Sequence, residues 1–299
     1  MTLPDLKLPV LPLSVLPLSG QDALVTRFAP SPNGWLHFGH AYSALVGFQA
    51  ARLNGGRFLL RIEDIDRTRA RPVYEQAIYD DLAWLGFDWE QPVRRQSDHF
   101  DDYRAGLDRL ERLDLLYPCF CTRKEITQAA SRRGPEGPLY LGTCREIGAQ
   151  ERARALAAGR PHCRRLDVRK ALALIGRPLV WHEVGRGDVA CRPALFGDVV
   201  LARKDVPTSY HLAVCLDDAL QGVNLVTRGA DLYQATHIHR LIQHLLGLSA
   251  PLYYHHDLIP DASGDRLAKS RGAPSIRQER QAGTEREALW NEIFGALSP

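Results

Sequence analysis

Apolar and polar residues alternate along residues 21–114 in blocks that predict strands and helices in turn. The run ALVTRFAP predicts a strand, HAYSALVGFQAARLNGG a helix that ends at a glycine pair, and RFLLRIEDID a second strand. Apolar residues then recur at helical spacing from Tyr74 to Leu85, and Gly86 follows where a helix stop is expected. This order indicates an α/β fold whose parallel sheet has right-handed crossovers.

The pattern changes over residues 115–205, which hold the GPEGP turn, an Arg/Ala helix near 149–158 and short strands such as RPLVWHEV and FGDVVLARK. We predict that this segment is an inserted subdomain. Over residues 206–299 the earlier rhythm returns. SYHLAVCLDDAL and GVNLVTRG are expected to be strands, DLYQATHIHRLIQHLLGL a helix and LYYHHDLIP a strand, with a last helix near 284–296.

The chain has 299 residues, of which 45% are hydrophobic and 24% charged, a composition typical of globular proteins. It contains no apolar stretch approaching the ~20 residues of a membrane span. Residues 1–20 are apolar but broken by prolines and lack a basic start, unlike a signal peptide, so we predict a flexible extension there. Six cysteines without regular spacing do not indicate a disulfide framework, and we expect a cytoplasmic protein.

Positive charge is concentrated in the predicted insertion. Residues 123–204 hold 17 Lys and Arg against 8 Asp and Glu, a net charge of +9, whereas the rest of the chain carries −6. Such a segment suits contact with phosphates, and an arginine-rich solvated surface explains the charge count equally well.

The turn RFAPSPNGWLHFGH, residues 27–40, leaves the first predicted strand and opens the first helix. Its prolines stiffen the turn, while Gly34 and Gly39 allow the backbone to approach a ligand closely. A helix N-terminus at the end of a parallel strand binds anions, and His37 and His40 add imidazole donors suited to a polyphosphate. The alternatives are a metal site and two incidental polar residues at a helix start.

A second basic element, RLAKSRG, lies at residues 266–272. Arg266, Lys269 and Arg271 stand in a loop flanked by glycines, where mobile cations close on a leaving pyrophosphate. A solvated charge run is the alternative for this loop when it is considered by itself.

These two elements resemble the signatures of class I aminoacyl-tRNA synthetases, with HFGH similar to HIGH and RLAKS to KMSKS. Arg266, Leu267 and Ala268 depart from the first three KMSKS residues. The stretches RFAPSPNGWLHFGHAYSAL, LLRIEDIDRTR and SYHLAVCLDDALQGVNLVTRGADL resemble the glutamyl branch. The sequence stops 29 residues after Ser270. It is therefore similar to the short paralogues without an anticodon-binding domain, the glutamyl-Q tRNA(Asp) synthetases.

The resemblance implies a Rossmann-type catalytic domain formed by residues 21–114 and 206–299, and it assigns site residues. Those implied for glutamate binding are Arg27, Ser31, Glu63, Tyr210 and Arg228. Those implied for ATP binding are Pro30, His37, Gly39, His40, Arg266, Lys269 and Ser270, and His37, His40 and Lys269 are the catalytic candidates. Arginine forks and a carboxylate suit a ligand with two carboxylates and one ammonium.

Other acidic residues are expected to have structural roles. We predict ion pairs of Asp64 and Asp66 with Arg61 and Arg67 at the strand end. Asp217 and Asp218 are expected to brace a helix entry and its loop.

Cys119, Cys121 and Cys144 supply three thiolates, one fewer than a four-ligand structural zinc site needs. Spacing favours His162 or Cys163 as the fourth ligand, whereas the resemblance implies Tyr140. Buried free thiols are the alternative. A closed site of this kind is expected to hold one structural zinc and to leave catalysis to other residues.

The activity implied is activation of L-glutamate by ATP with Mg²⁺, without tRNA, and transfer of glutamate to the queuosine of tRNA(Asp). The expected partners are ATP, glutamate and this tRNA, with no membrane, and the protein is expected to be a monomer. Three alternatives remain: a truncated glutamyl-tRNA synthetase, a small-molecule adenylyltransferase and a non-catalytic RNA-binding paralogue.

Overall fold

The structure, a computed structural model, describes residues 23–259 and 274–295. The predicted extension over 1–20 lies outside these ranges, as does the RLAKS loop. The strands in them are β1 Val25–Phe28, β2 Arg57–Ile62, β3 Glu90–Arg95, β4 Leu116–Cys119, β5 Arg133–Gly134, β6 Gly137–Pro138, β7 Cys163–Leu166, β8 Val180–Glu183, β9 Gly187–Ala190, β10 Val200–Ala202, β11 Leu225–Gly229 and β12 Leu252–His256.

The helices include every predicted one and five more. They are α1 Phe38–Leu53, α2 Pro72–Trp84, α3 Phe100–Arg112, α4 Arg123–Ala129, α5 Ala149–Ala157, α6 Val168–Ile175, α7 Tyr210–Leu220, α8 Thr236–Leu245, α9 Ile276–Gln281 and α10 Arg286–Gly295. Among the described residues, no helix has both the length and the apolar character needed to cross a membrane.

Two parallel sheets form the centre of the fold. In one, β1 pairs with β2 and β2 with β3; in the other, β11 pairs with β12 and β12 with β8, all in parallel. Asn224 joins the two sheets. Its side-chain oxygen accepts from the Val25 backbone amide at 2.8 Å, and its backbone amide donates to the Val25 carbonyl at 3.1 Å. The predicted parallel α/β sheet is confirmed.

This arrangement creates a crevice where β1 and β11 end. From β1 the chain continues to β2 on one side, and from β11 it continues to β12 on the other. The chain therefore diverges from two neighbouring strands, and in open parallel sheets ligands bind at the carboxyl ends of such strands. Phe28 and Gly229 mark those ends.

Helix α1 lies close against both sheets at Gly47. The Thr26 hydroxyl donates to the Gly47 carbonyl at 2.7 Å, and a Cβ at position 47 would meet the Thr227 hydroxyl at 2.9 Å. A side chain larger than hydrogen would therefore push the helix away from β1 and β11. This close packing aims the start of α1 at the crevice.

Most of the predicted insertion forms its own small elements. Strands β10, β7 and β4 make an antiparallel sheet, and β5 and β6 make a short hairpin. Strands β8 and β9, however, lie in the sheet of β11 and β12, with Glu183 opposite Tyr253. The insertion is thus attached to the main sheet by one of its own hairpins, and its limits at 115 and 205 stay a prediction.

The predicted strand SYHLAVCLDDAL is wrong, because these residues form helix α7. All residues from His211 to Asp218 are buried, and the helix packs against α3 and α8. An apolar run without alternation fits a buried strand and a buried helix equally well, so periodicity could not separate the two. Asp217 and Asp218 consequently stand in the last turns of a helix and not at a helix entry.

A buried carboxyl group between α2 and α9 makes the stability of the fold depend on pH. Asp81 lies 3.5 Å from Arg280, neither of its oxygens accepts a hydrogen bond from the described residues, and burial raises its pKa to about 6. The unfolded pKa is about 3.9. The folded state therefore binds this proton more tightly than the unfolded chain does. The contribution of protonated Asp81 to the free energy of unfolding is complete below pH ~4 and is lost as the pH rises through 6.

We expect Asp81→Asn to stabilise the fold by about 2 kcal/mol at pH 8, and the gain to vanish toward pH 4. Thermal melts at the two pH values measure it. Asp80→Asn is the matched control, since Asp80 accepts from Gln76 on the same helix. Equal melting temperatures of wild type and Asp81→Asn at pH 8 would contradict the prediction.

Candidate active site

A cavity of about 720 Å³ opens at the carboxyl ends of β1 and β11. Every predicted glutamate- or ATP-binding residue within the described ranges lines it. These residues are Arg27, Pro30, Ser31, His37, Gly39, His40, Glu63, Tyr210 and Arg228. The remaining three, Arg266, Lys269 and Ser270, lie outside the described residues. Side chains from well-separated parts of the chain thus meet in one crevice.

The two histidines of the HFGH turn cap helix α1. His37 is the N-cap residue, and its Nδ1 accepts from the Gly39 amide at 3.2 Å. His40 Nδ1 accepts in turn from the His37 amide, also at 3.2 Å. This is the reciprocal geometry of a capping box, made here by two imidazoles. An accepting Nδ1 places the proton of a neutral ring on Nε2, so each ring offers an Nε2–H donor beside the positive end of α1.

Arg27 forms a buried ion pair with Asp218. Its Nε donates to Asp218 Oδ1 at 3.0 Å, and its Nη1 donates to the Thr227 carbonyl at 3.0 Å. Burial alone would raise the pKa of Asp218, but the charges of Arg27 and Arg61 outweigh it and keep that pKa below its usual value. The guanidinium is therefore fixed by an ionised carboxylate, and Arg27 lines the cavity.

Arg61 forms an ion pair with Glu63. The predicted ion pairs of Asp64 and Asp66 with Arg61 are therefore wrong. Arg61 Nη2 donates to Glu63 at 3.2 Å, while Asp64 accepts from the Ser97 amide and hydroxyl at 2.8 and 2.6 Å. Asp66 accepts from Thr68 and from Arg203. Successive side chains of an extended segment point to opposite faces, so positions 61 and 63 share a face and position 64 does not.

The carboxyl group of Glu63 is subject to opposing influences on its pKa. Burial raises its pKa above the usual value, against the opposing charges of Arg61 and Arg27. A cation placed in the cavity beside it, such as an ammonium, would favour the charged form. Tyr210, whose pKa burial raises to about 12, keeps its proton and serves as a neutral hydrogen-bonding group.

Three of the four groups that form hydrogen bonds with Arg228 were not predicted from the sequence. Its Nε donates to His255 Nε2 at 3.0 Å, its Nη1 contacts His239 Nδ1 at 3.0 Å, and its Nη2 donates to the Thr236 hydroxyl at 2.7 Å. A fourth contact reaches the Tyr210 hydroxyl at 3.5 Å. The only signal in the sequence was a pair of polar positions, Thr236 and His239, on a helix whose other face is apolar.

The three predicted metal-binding cysteines come together in the insertion. The Sγ atoms of Cys119, Cys121 and Cys144 all lie within 4.8 Å of one another, and the Tyr140 hydroxyl lies 3.9 Å from Cys121 Sγ. Ligand atoms at about 2.3 Å from one tetrahedral zinc are about 3.8 Å apart, so this donor set fits a zinc ion. Arg165 stacks 4.0 Å from the centre of the Tyr140 ring and brings a positive charge to the thiols.

Neither alternative fourth ligand belongs to the group of metal-binding atoms within 4.8 Å of one another among the described residues, which holds only the three cysteines. The His162 ring is half-buried and its Nδ1 lies 3.1 Å from the Arg160 carbonyl. The Cys163 thiol is buried and lies 3.6 Å from the Cys119 carbonyl oxygen. The Tyr140 hydroxyl, 3.9 Å from Cys121 Sγ, also accepts from the Cys144 amide at 2.7 Å, so the ligand role that the family resemblance implies for it stays a prediction.

Comparisons with known proteins agree with this geometry. Residues 23–295 match the family model of tRNA synthetases class I (E and Q), catalytic domain. The glutamyl-Q tRNA(Asp) synthetase of Rhodobacter capsulatus is 48% identical over 272 residues, covering 87% of this chain and 96% of that protein. The glutamate–tRNA ligase of Aquifex aeolicus is 38% identical over 90% of this chain, which spans 56% of that longer protein.

A solved structure of similar fold is the glutamate tRNA ligase of Elizabethkingia meningosepticum in complex with its amino acid. It superposes with a TM-score of 0.68 at 27% identity and covers 88% of this chain and 53% of that one. The family match over nearly the whole chain and the near-complete coverage of the Rhodobacter relative lead to one conclusion. The chain belongs to the class I tRNA synthetases of the glutamate and glutamine branch and, within them, to the glutamyl-Q tRNA(Asp) synthetases.

Proposed function

We propose that the protein activates L-glutamate with ATP, without tRNA, and transfers the glutamyl group to the queuosine of tRNA(Asp). The observation that carries this proposal is the single cavity in which two arginines, one glutamate and the histidine-capped start of α1 face each other. Two cations and one anion match the charges of an amino acid with two carboxylates and an ammonium. The names of the similar proteins support the same substrate class.

In the proposed complex, Arg27 and Arg228 each bind one carboxylate of glutamate, and Glu63 binds the ammonium. Both arginines are buried and already held by neighbouring groups, so little ordering is required on binding. Glutamine would leave one buried guanidinium facing a neutral amide. Sites built on such a charge reject the uncharged analogue strongly.

Activation begins when an oxygen of the α-carboxylate attacks the α-phosphorus of ATP. A new P–O bond forms, the bond to the β-phosphate bridging oxygen breaks, and pyrophosphate leaves with its Mg²⁺. The attacking group is already ionised, so no general base is required. The Nε2–H groups of His37 and His40 and the start of α1 stabilise the charge that develops on the phosphates. Lys269, with Arg266 and Ser270, is proposed to act on the same phosphates.

Transfer follows when a hydroxyl of the queuosine cyclopentenediol attacks the carbonyl carbon of the adenylate. The products are a glutamyl ester and AMP. The basic insertion, with its net charge of +9 over residues 123–204, is proposed to bind the anticodon arm through phosphate contacts.

Cys119, Cys121, Tyr140 and Cys144 are proposed to hold one zinc ion. A closed set of four protein ligands stabilises a fold and leaves no open position for substrate. In this chain the ion would fasten the segment after β4 to the turn that carries Tyr140 and Cys144.

Charging of tRNA(Glu) is the second candidate function, because the Aquifex ligase is also similar to this chain.

The acceptor is tested with labelled glutamate, ATP and Mg²⁺ on three tRNAs. We expect label on tRNA(Asp) that carries queuosine, and none on tRNA(Asp) with unmodified guanine or on tRNA(Glu). Trimming the 3′ terminus of the queuosine tRNA should leave the label in place, since the ester is at the anticodon. Label on tRNA(Glu), lost on the same trimming, would contradict the proposal and favour the second candidate.

Metal analysis tests the zinc site. The purified wild type is expected to contain about one zinc per chain, and Cys144→Ser to lose most of it together with several degrees of melting temperature. Cys191→Ser, which changes a half-buried cysteine outside the cluster, is the control and should keep the metal. A zinc-free wild type prepared in zinc-containing medium would contradict the assignment.

A further inference from the structure

A line of hydrogen-bonded side chains runs from the cavity to the insertion. Arg228 Nη1 lies 3.0 Å from His239 Nδ1, and His239 Nε2 lies 3.1 Å from His211 Nδ1. His211 Nε2 lies 3.1 and 3.2 Å from the two carboxylate oxygens of Glu136. The three residues nearest the cavity are buried, whereas the Glu136 side chain is half-exposed in the turn between β5 and β6.

The direction of every bond in this line follows from the arginine. A guanidinium only donates, so His239 Nδ1 must accept and the proton of this ring must be on Nε2. That proton is donated to His211 Nδ1, which leaves the proton of His211 on Nε2. The Nε2–H of His211 then needs an acceptor, and the carboxylate of Glu136 supplies it at the end of the line. Burial and the nearby charge of Arg228 hold the pKa of His239 well below its usual value, so its ring stays neutral.

A second line begins at the other side of the same guanidinium. Arg228 Nε donates to His255 Nε2 at 3.0 Å, and His255 Nδ1 lies 2.8 Å from the buried carboxylate of Glu183. Here the accepting Nε2 requires a proton on Nδ1. The arginine is thus held between two histidines, and each histidine line ends on a carboxylate.

The two carboxylates that end these lines, Glu183 and Glu136, have different environments. Glu183 is fully enclosed in the main sheet, whereas Glu136 also lines a second cavity of about 490 Å³. Tyr210 lines both cavities, and Arg123, Arg165 and Arg203 add positive charge to the second. The end of the line at Glu136 is therefore the one that a substitution can change without opening the core.

We propose that Glu136 is a positioning residue for the amino-acid site. By accepting from His211 it completes the one arrangement of protons that Arg228 permits, and this stabilises His239 as the acceptor that holds the guanidinium in the orientation that binds a carboxylate of the substrate. This inference rests on the proposed glutamate site. It also makes the insertion a contributor to that site.

Substitutions at Glu136 test the proposal by glutamate-dependent ATP–pyrophosphate exchange. Glu136→Ala is expected to raise the KM for glutamate about five- to tenfold and to leave the KM for ATP and the melting temperature unchanged. Glu136→Gln keeps an accepting oxygen and should stay within about twofold of wild type. Glu146→Ala, on an exposed glutamate of the insertion, is the matched control. An unchanged KM in Glu136→Ala, or equal impairment in Glu136→Gln, would overturn the proposal.

Histidine tautomers provide a readout that needs no substrate. Long-range ¹H–¹⁵N spectra of the labelled wild type should show neutral rings with the proton on Nε2 for His211 and His239 and on Nδ1 for His255, with assignments from single His→Gln variants. A charged His239, or a proton on Nδ1 of His211, would overturn the proposal. If these tautomers are found in a protein without glutamate-dependent exchange, the proposed function fails while the hydrogen-bonded line stands.

Discussion

Two adjacent aspartates near the end of α7 bind three arginines from the strands beside the cavity, and one of these, Arg27, lines it. Asp218 accepts from Arg27 at 3.0 Å and from Arg61 at 2.8 Å, and Asp217 accepts from Arg94 at 2.8 Å. These bonds tie β1, β2 and β3 to one helix beneath the cavity floor. Removing one partner of a buried ion pair typically costs about 3–5 kcal/mol, because it leaves an unpaired charge in the interior. The network therefore fixes the position of the site and makes its charges interdependent.

The start of α1 illustrates how one feature can have two roles. His37 and His40 complete the hydrogen bonds of a helix N-terminus, which normally requires hydroxyl or carboxylate side chains. Because each ring accepts through Nδ1, its Nε2–H remains a donor directed by the cap itself. An aspartate cap would satisfy the helix and, as a carboxylate, offer no donor for a phosphate. The stiff turn before the helix and Gly47 within it keep this end of α1 at the crevice.

Much of the fold followed from the sequence, because glycines and prolines mark the ends of its strands and helices. Gly86 and Gly247, for example, both follow a helix and both adopt positive φ angles of 91° and 63°. The glutamate- and phosphate-binding candidates were identified through family motifs, and most of them line one cavity. Helix α7 was missed, because its uniformly apolar run carries no period.

The partners of the charged residues were harder to predict than their positions. Arg61 pairs with Glu63 and Asp218, which only the pleat of β2 and the packing of α7 determine. The two histidines that contact Arg228 come from different elements, α8 and β12, so no local pattern could bring them together. Chemistry that depends on such long-range contacts becomes visible only when the fold is known.

The central claim is that this cavity activates glutamate unaided. Its most direct test is ATP–pyrophosphate exchange by the purified wild type without any tRNA, with glutamate and glutamine compared at equal concentration. We predict exchange that depends on glutamate and is at least about a hundredfold weaker with glutamine, because a neutral amide leaves a buried guanidinium unpaired. Exchange that requires tRNA, or that proceeds equally with glutamine, would contradict the account.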